Sequence, residues 1–304
     1  MDQKQNDAMD TVVVGQGPAG CSAALYLCRA GLRVALIGKD SGALQKAERI
    51  ENYYGLARPV SGQALFERGR RQCRALGAEL VEDEVLALDW LEDGQFFAAL
   101  RSGRGITAPS ALLATGKAKA APPIEGIKSF EGRGVSYCAV CDAFLYRGRK
   151  VAVLGSGAYA RHELEQLLPL AGEVTLLTNG AEPEFELPES VELRREPVVR
   201  LASLQGAAKE LDSIILEGGG ALPMDGLFVA VGSASAGDLA AKLGIRLEQN
   251  AIPVNAKQET ALPGLYAAGD CTGSFAQVAI AVAEGAKAGL AMVQYVRERK
   301  KNSG

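Results

Sequence analysis

"TVVVGQGPAGCSAALYLCRAGLRVALIGK", residues 11–39, decides the fold. A β-branched run from Thr11 to Val14 ends on Gly15-Gln16-Gly17-Pro18-Ala19-Gly20. An apolar-periodic helix follows, and then a second strand from Arg33 to Ile37. Strand, G-x-G-x-x-G, helix and strand, in that order, predict a dinucleotide-binding βαβ unit. Gly15 permits the tight turn, Gly17 lets backbone approach a pyrophosphate, and Gly20 lets helix and strand pack closely. The helix beginning at Pro18 and Ala19 offers free N–H groups and the positive end of its dipole to phosphate. The acid that usually ends the second strand and holds a ribose hydroxyl is displaced. Gly38-Lys39-Asp40 stands there, so Lys39 and Asp40 are assigned to the cofactor two residues late.

A second unit of the same kind reads "RKVAVLGSGAYARHELEQLLPLAGEVTLLTNG", residues 149–180. Its turn is Gly155-Ser156-Gly157-Ala158-Tyr159-Ala160, between strands at Val151–Leu154 and Val174–Thr178. The end of the chain holds "GLYAAGDCTGSFAQVAIAVAEGAKAGLAMVQYV", a short strand, Gly269-Asp270 and a long helix rich in alanine and glycine. The segment from Lys117 to Lys150 is rich in proline, glycine and small residues and reads as an interdomain connection. Within it lies "SYCAVCDAF", residues 136–144.

Composition narrows the function. The chain has 304 residues, 23% of them charged, and a net charge of −3, which suits a soluble two-domain protein with no nucleic-acid partner. No apolar run reaches membrane-span length, and "MDQKQNDAMD" is neither a signal peptide nor a basic transit segment, so a cytoplasmic protein with no membrane association is expected. Of six cysteines, Cys138 and Cys141 alone form a close pair. A structural zinc site needs two more ligands, and the single histidine, His162, and the absence of a second C-x-x-C do not supply them; no metal is expected. A redox dithiol is favoured over two inert core thiols, because the segment is short and glycine-flanked, unlike a core helix. Asp142, directly behind, reads either as a proton carrier for the pair or as a solvated cap of the next turn.

In order along the chain, "VVVGQGPAGCSAALY", "RIENYYG", "ALLATG", "CAVCDAFLYRGRKVAVLGSG", "GLFVAVG" and "GLYAAGD" resemble the low-molecular-weight thioredoxin reductases over nearly the whole length. The resemblance implies an α/β fold of two Rossmann-like, three-layer dinucleotide-binding-type domains, the second inserted in the first. The expected division is 1–116 and 244–304 for the FAD-binding domain, and 117–243 for an inserted NADPH-type domain that carries the dithiol. It implies that Gly15, Gly17 and Gly20 form the FAD pyrophosphate loop, that Asn52 lies near the flavin ring, and that Thr115 and Gly116 form an A-T-G turn. Asp270, after Gly269, is similar to the acid that holds the ribityl chain. Gln277 and Val278 begin the helix facing the flavin's pyrimidine edge. Cys138 and Cys141 form the disulfide, with Cys141 similar to the flavin-proximal thiol, Cys138 to the one that attacks substrate, and Asp142 to the acid that handles protons. A homodimer is the family expectation.

The second unit departs from that family. Thr178-Asn179-Gly180 stands where a basic cluster grips the 2′-phosphate of NADPH, and Glu182, Glu184 and Glu186 follow. Tyr159 is expected to put a bulky ring on the turn where backbone approaches a pyrophosphate. A helix is missing before "SVELRREPVVRL", and Arg194 and Arg195 read as a displaced phosphate clamp or, more blandly, as a solvated pair on a strand. NADPH is therefore not expected as a cofactor. The pattern resembles the ferredoxin-dependent flavin thioredoxin reductases, which implies thioredoxin and ferredoxin as partners. Between Lys117 and Lys150, Lys117, Lys119, Lys128, Arg133, Arg147, Arg149 and Lys150 outnumber Glu125, Glu131 and Asp142, a surplus that suits an acidic electron donor and equally suits thioredoxin docking. Alternatives are an NAD(P)H-dependent reductase with a divergent nucleotide site, a flavin dithiol oxidase, and a flavin-binding scaffold, which would have no need of Cys138, Cys141 and Asp142.

Overall fold

The structure, a computed structural model, describes residues 6–117, 122–203 and 210–302. The chain divides into two compact units, Met1–Ala118 with Ser235–Gly304, and Lys119–Ala234. The first unit opens with β1 (Asn6–Ala8), β2 (Thr11–Val14), α1 (Pro18–Arg29), β3 (Val34–Ile37) and α2 (Gly62–Ala75). It continues with β4 (Glu79–Val81), β5 (Val85–Trp90), β6 (Phe96–Leu100), β7 (Gly105–Ala108) and β8 (Ala111–Leu113). The second unit holds β9 (Val135–Ser136), α3 (Ala139–Asp142), β10 (Lys150–Leu154), α4 (Ala158–Leu167), β11 (Glu173–Leu177) and β12 (Val191–Arg194). Then come β13 (Val198–Ala202), β14 (Ser213–Leu216), β15 (Ala221–Pro223) and β16 (Gly226–Val229). The chain returns to the first unit with α5 (Ala236–Lys242), β17 (Leu265–Ala267) and α6 (Val278–Asn302).

The first unit is built on a parallel sheet in the order β17-β8-β2-β3-β4. Every residue of β2 and β3 is buried, which is why these strands read as unbroken apolar runs and not as alternating ones: helices or a second layer cover both faces. The composition of α6 has the same kind of cause. A Cβ on Gly285 would collide with the Ala19 carbonyl, and one on Gly289 would stand 2.8 Å from the Ala23 carbonyl. Only glycine at these positions lets α6 lie this close to α1. A second sheet, β1-β7-β6-β5, completes this unit.

The second unit repeats the plan with the parallel order β12-β11-β10-β16-β9, and adds an antiparallel sheet, β13-β14-β15. In both units the glycine-rich turn leaves the strand that has neighbours on either side, β2 between β3 and β8, and β10 between β11 and β16. Those strand ends are the switch points at which doubly wound folds place their ligands. The two-Rossmann α/β class expected from the glycine motifs is the observed one. The return boundary expected at 243/244 lies instead at 234/235. The reason is α5. Ser235 caps it, with a reciprocal bond from Asp238, and its first N–H, that of Ala236, donates to Thr115 Oγ1 at 2.8 Å, tying the helix to the A-T-G turn of the first unit.

Candidate active site

The turn after β2 leaves room for backbone and little else. Gly15 has φ +120°, and a Cβ there would collide with the Ala114 carbonyl, while one on Gly20 would collide with the Gly15 carbonyl. Gly17 is the opposite case: nothing lies within 4 Å of where its Cβ would stand, so the peptide is open to a ligand. Gly17 is also the N-cap of α1 and brings no side-chain cap, with Pro18 at the first helical position. First-turn N–H groups have no partner within a helix, so this turn is shaped for a phosphate. Gln16, between the glycines, is buried, and its amide donates to the Leu36 and Val81 carbonyls at 2.9 and 3.1 Å, fastening the ends of β3 and β4 beneath the turn.

The other expected residues of this unit are placed around it. Gly269, with φ +82°, would bring a Cβ to 3.1 Å from the Ala19 Cβ, so the Gly269-Asp270 segment runs beside the helix start. Burial, and then the Glu284 carboxylate, push the Asp270 carboxyl up against the opposing pull of Lys117. Glu284 accepts the Gly269 N–H at 2.7 Å and the Thr272 hydroxyl at 3.2 Å. Asn52 Nδ2 donates to Gln277 Oε1 at 3.1 Å, just before Val278 opens α6. Thr115 holds α5, and Gly116 follows with φ +79°. Lys39 and Asp40 are engaged locally: the ammonium lies 2.9 Å from Glu84 Oε2, and the Asp40 carboxylate accepts the Gly42 N–H at 2.9 Å.

In the second unit Cys138 and Cys141 are joined as a disulfide, with Cα atoms 5.3 Å apart. Cys138 is the N-cap of α3, and its Sγ accepts the Cys141 N–H at 3.1 Å. Cys138 is buried and Cys141 exposed. Ser136 Oγ accepts the Cys138 N–H at 3.1 Å and donates to Asp142 Oδ2 at 2.7 Å. The Asp142 side chain makes no cap to the turn Ala143–Tyr146 that follows, so the carboxylate faces the cysteine segment and not its own helix end. Two further groups reach this segment from α4. Tyr159 Oη donates to the Tyr137 carbonyl at 3.0 Å, and Glu163 Oε2 accepts the Ala139 N–H at 2.5 Å. Neither contact is visible in the sequence. The available signal was an acid, Glu163, on the inward stripe of a helix otherwise apolar on that face.

The second glycine turn has a charged neighbour that the first lacks. Gly155 again has a positive φ of +154°. The Glu184 N–H donates to the Ser156 carbonyl at 2.8 Å, and the Glu184 carboxylate lies 3.7–3.8 Å from the Cβ position of Gly157, beside the N-terminus of α4. Tyr159 is not the obstruction expected. It is 2% exposed, turned into the core of its unit because the first turn of α4 presents that position to β-sheet and dithiol segment. Arg195 pairs with Glu182 through two bonds of 2.7 and 2.8 Å, and Arg194 reaches Glu192 at 2.6 Å and Glu196 at 3.8 Å. Both guanidiniums are thus neutralised on the spot. Asn179, at φ 50°, accepts the Val198 N–H through its side chain, and residues 178–190 contain no helix. Lys119, counted in the basic connector, lies outside the described residues.

Two Rossmann-type units, one with a phosphate-shaped turn and the other with a cysteine disulfide held at the start of a short helix, define a disulfide oxidoreductase. The chain matches the pyridine nucleotide-disulphide oxidoreductase family over residues 9–285. It is 32% identical to the thioredoxin reductase of Aquifex aeolicus over 313 residues, 98% of this chain and 97% of that one. Among solved structures it is similar to the atypical thioredoxin reductase TRi from Desulfovibrio vulgaris Hildenborough, with TM-score 0.87, 36% identity, and 95% and 98% of the two chains covered. It is also similar to a ferredoxin-flavin thioredoxin reductase from Clostridium acetobutylicum, with TM-score 0.72, 30% identity, and 97% and 100% covered. The chain belongs to this family, within its low-molecular-weight thioredoxin reductase branch. Among the described residues no helix is long and apolar enough to cross a membrane.

Proposed function

We propose that the protein is a cytoplasmic, FAD-dependent reductase of thioredoxin disulfide whose electrons come from a one-electron donor such as reduced ferredoxin, and not from NADPH. The observation that carries the donor assignment is the Glu184 carboxylate beside Gly157, where an incoming pyrophosphate would meet a negative charge. The neutralised Arg194 and Arg195 support it, as does the likeness to the Clostridium ferredoxin-flavin enzyme. The open peptide at Gly17, the uncapped start of α1 and the neighbouring Gly269-Asp270 support FAD in the first unit, with Gly15, Gly17, Pro18, Ala19 and Gly20 as its pyrophosphate loop.

Bound FAD supplies a carrier that fills one electron at a time and empties in pairs. The residues of the chain do the rest. Reduction opens the Cys138–Cys141 bond with two electrons and two protons. The Cys138 thiolate then attacks the thioredoxin disulfide, one thioredoxin sulfur leaves, and Cys141 attacks the Cys138 sulfur, re-forming the Cys138–Cys141 bond and displacing the second thioredoxin sulfur to release the reduced substrate. Asp142, held by Ser136, is placed to hand a proton to a leaving sulfur. Because Cys138 is buried, this attack requires its sulfur to be uncovered first.

The test is anaerobic mixing of the yellow protein with NADPH, NADH or reduced ferredoxin while flavin absorbance is followed. Fast bleaching by ferredoxin, slowing as salt is raised, with little by either nucleotide, is expected. Efficient bleaching by micromolar NADPH overturns the donor assignment.

A further inference from the structure

We propose that α4 acts as a two-point clamp on the dithiol turn, and that Glu163 is the positioning residue whose charge keeps the Cys138–Cys141 pair strongly reducing. The proposal rests on the redox reading of that pair. Tyr159 and Glu163 stand one helical turn apart on the buried face of α4. They are 2% and 1% exposed. They grip the backbone on either side of Cys138: the hydroxyl at the Tyr137 carbonyl, 3.0 Å away, and the carboxylate at the Ala139 N–H, 2.5 Å away. Cys138's own N–H goes to Ser136 Oγ at 3.1 Å, and its carbonyl accepts the Asp142 N–H at 3.2 Å. No backbone polar group from the Tyr137 carbonyl to the Ala139 N–H is left to choose a partner.

A structural clamp alone does not need a charge. A neutral side chain could accept the Ala139 N–H, and burying a carboxylate is costly unless its bonds are strong. The charge has a consequence at the next residue. In the disulfide the sulfurs are neutral, and after reduction Cys138 must carry thiolate in order to attack. A fixed negative charge one residue away disfavours that thiolate and so favours the closed disulfide. The reduced pair is therefore the stronger reductant. The amide that would otherwise help to stabilise the thiolate at a helix start, that of Ala139, is already held by the carboxylate.

The experiment is a redox titration of the full-length protein in dithiothreitol buffers, with thiol trapping and mass measurement of the peptide holding Cys138 and Cys141. Glu163→Gln keeps an accepting oxygen and removes the charge. It should move the equilibrium about tenfold toward the dithiol, about 30 mV for a two-electron couple. Tyr159→Phe removes a bond and no charge, and should leave the midpoint within about twofold of the unaltered protein, less than the ~30 mV of a tenfold change. Coincident curves for Glu163→Gln and the unaltered protein overturn the proposal while leaving the redox reading intact. A pair that cannot be titrated in the unaltered protein overturns the redox reading itself. Should Glu163→Gln fail to fold, amide exchange on the unaltered oxidised protein decides. Ala139 is expected to be strongly protected, and an Ala139 N–H exchanging as fast as that of exposed Val140 overturns the clamp.

Discussion

The Glu184 carboxylate stands 3.7–3.8 Å from the Cβ position of Gly157, held there by the Glu184 N–H on the Ser156 carbonyl. A carboxylate of its own unit thus lies beside the turn that in a nucleotide-binding unit receives phosphate. The carboxylate is exposed, so its repulsion of an anion is screened and modest, on the order of 1.4 kcal/mol or tenfold in affinity at low salt. Glu184→Ala should therefore bind pyrophosphate about tenfold more tightly than the unaltered protein at low ionic strength, and the difference should shrink as salt is added. Isothermal titration at two salt concentrations measures both; an unchanged affinity would show that the carboxylate does not guard the turn.

The glycines of the first turn separate fold from ligand. Gly20→Ala places a Cβ against the backbone carbonyl of Gly15, which no rotamer change relieves, so folding stability should fall by more than about 2 kcal/mol. Gly17→Ala meets nothing within 4 Å, and its φ of −73° suits any residue. Its thermal stability without cofactor should stay within about 0.5 kcal/mol of the original, while FAD affinity falls at least about tenfold because the pyrophosphate loses its approach. Denaturation of the stripped proteins and flavin retention on desalting report the two effects independently. Equal FAD retention by Gly17→Ala would place the cofactor elsewhere.

These glycines were legible because backbone geometry forbids other residues at Gly15 and Gly20, and the fully buried β2 and β3 were legible as continuous apolar runs. The dithiol was legible because its two cysteines are local. Contacts set by side-chain direction were not. Nothing in "YARHE" says that Tyr159 turns inward to the Tyr137 carbonyl instead of standing over the turn, or that Glu163 reaches Ala139. Asn52 and Gln277 were each marked by resemblance, but their bond joins positions 225 residues apart and depends on the return of the chain to its first unit. The boundary at 234/235 was missed because "GDLAAKLG" is a short amphipathic helix that either unit could pack. The Ala236 bond to Thr115 decides it.

The cysteine pair yields a prediction that distinguishes chemistry from scaffold. Cys138→Ser and Cys141→Ser should each abolish thioredoxin reduction and leave bound FAD unchanged, since the pair lies in the unit without the phosphate-shaped turn. Asp142→Asn should reduce kcat by about a hundredfold with little change in the KM for thioredoxin, the signature of a lost proton carrier. Ser136→Ala, which frees the Asp142 carboxylate from its 2.7 Å donor, should cost less than Asp142→Asn. Steady-state assays with flavin content normalised check all four. Loss of FAD from either cysteine variant would return the pair to a structural role.

The last prediction follows from Asp270. Burial and the Glu284 carboxylate raise its carboxyl above the usual value of 3.8, so the folded chain favours the protonated acid. A raised pKa contributes stability that is fully present below the unfolded value and is lost as pH climbs through the folded one. At neutral pH the ionised Asp270 is therefore a net cost to the cofactor-free protein. Asp270→Asn removes that cost and keeps the shape. It should melt at a higher temperature than the original near pH 7, and at the same temperature near pH 3, where both side chains are neutral. In the presence of FAD the order should reverse near pH 7 if, as the resemblance implies, the carboxylate accepts hydroxyls of the ribityl chain, because the amide accepts them less strongly. Thermal scans at the two pH values, with and without FAD, give four melting temperatures. A variant that is less stable than the original in the cofactor-free state at pH 7 would mean that Asp270 is held by partners which more than repay its burial.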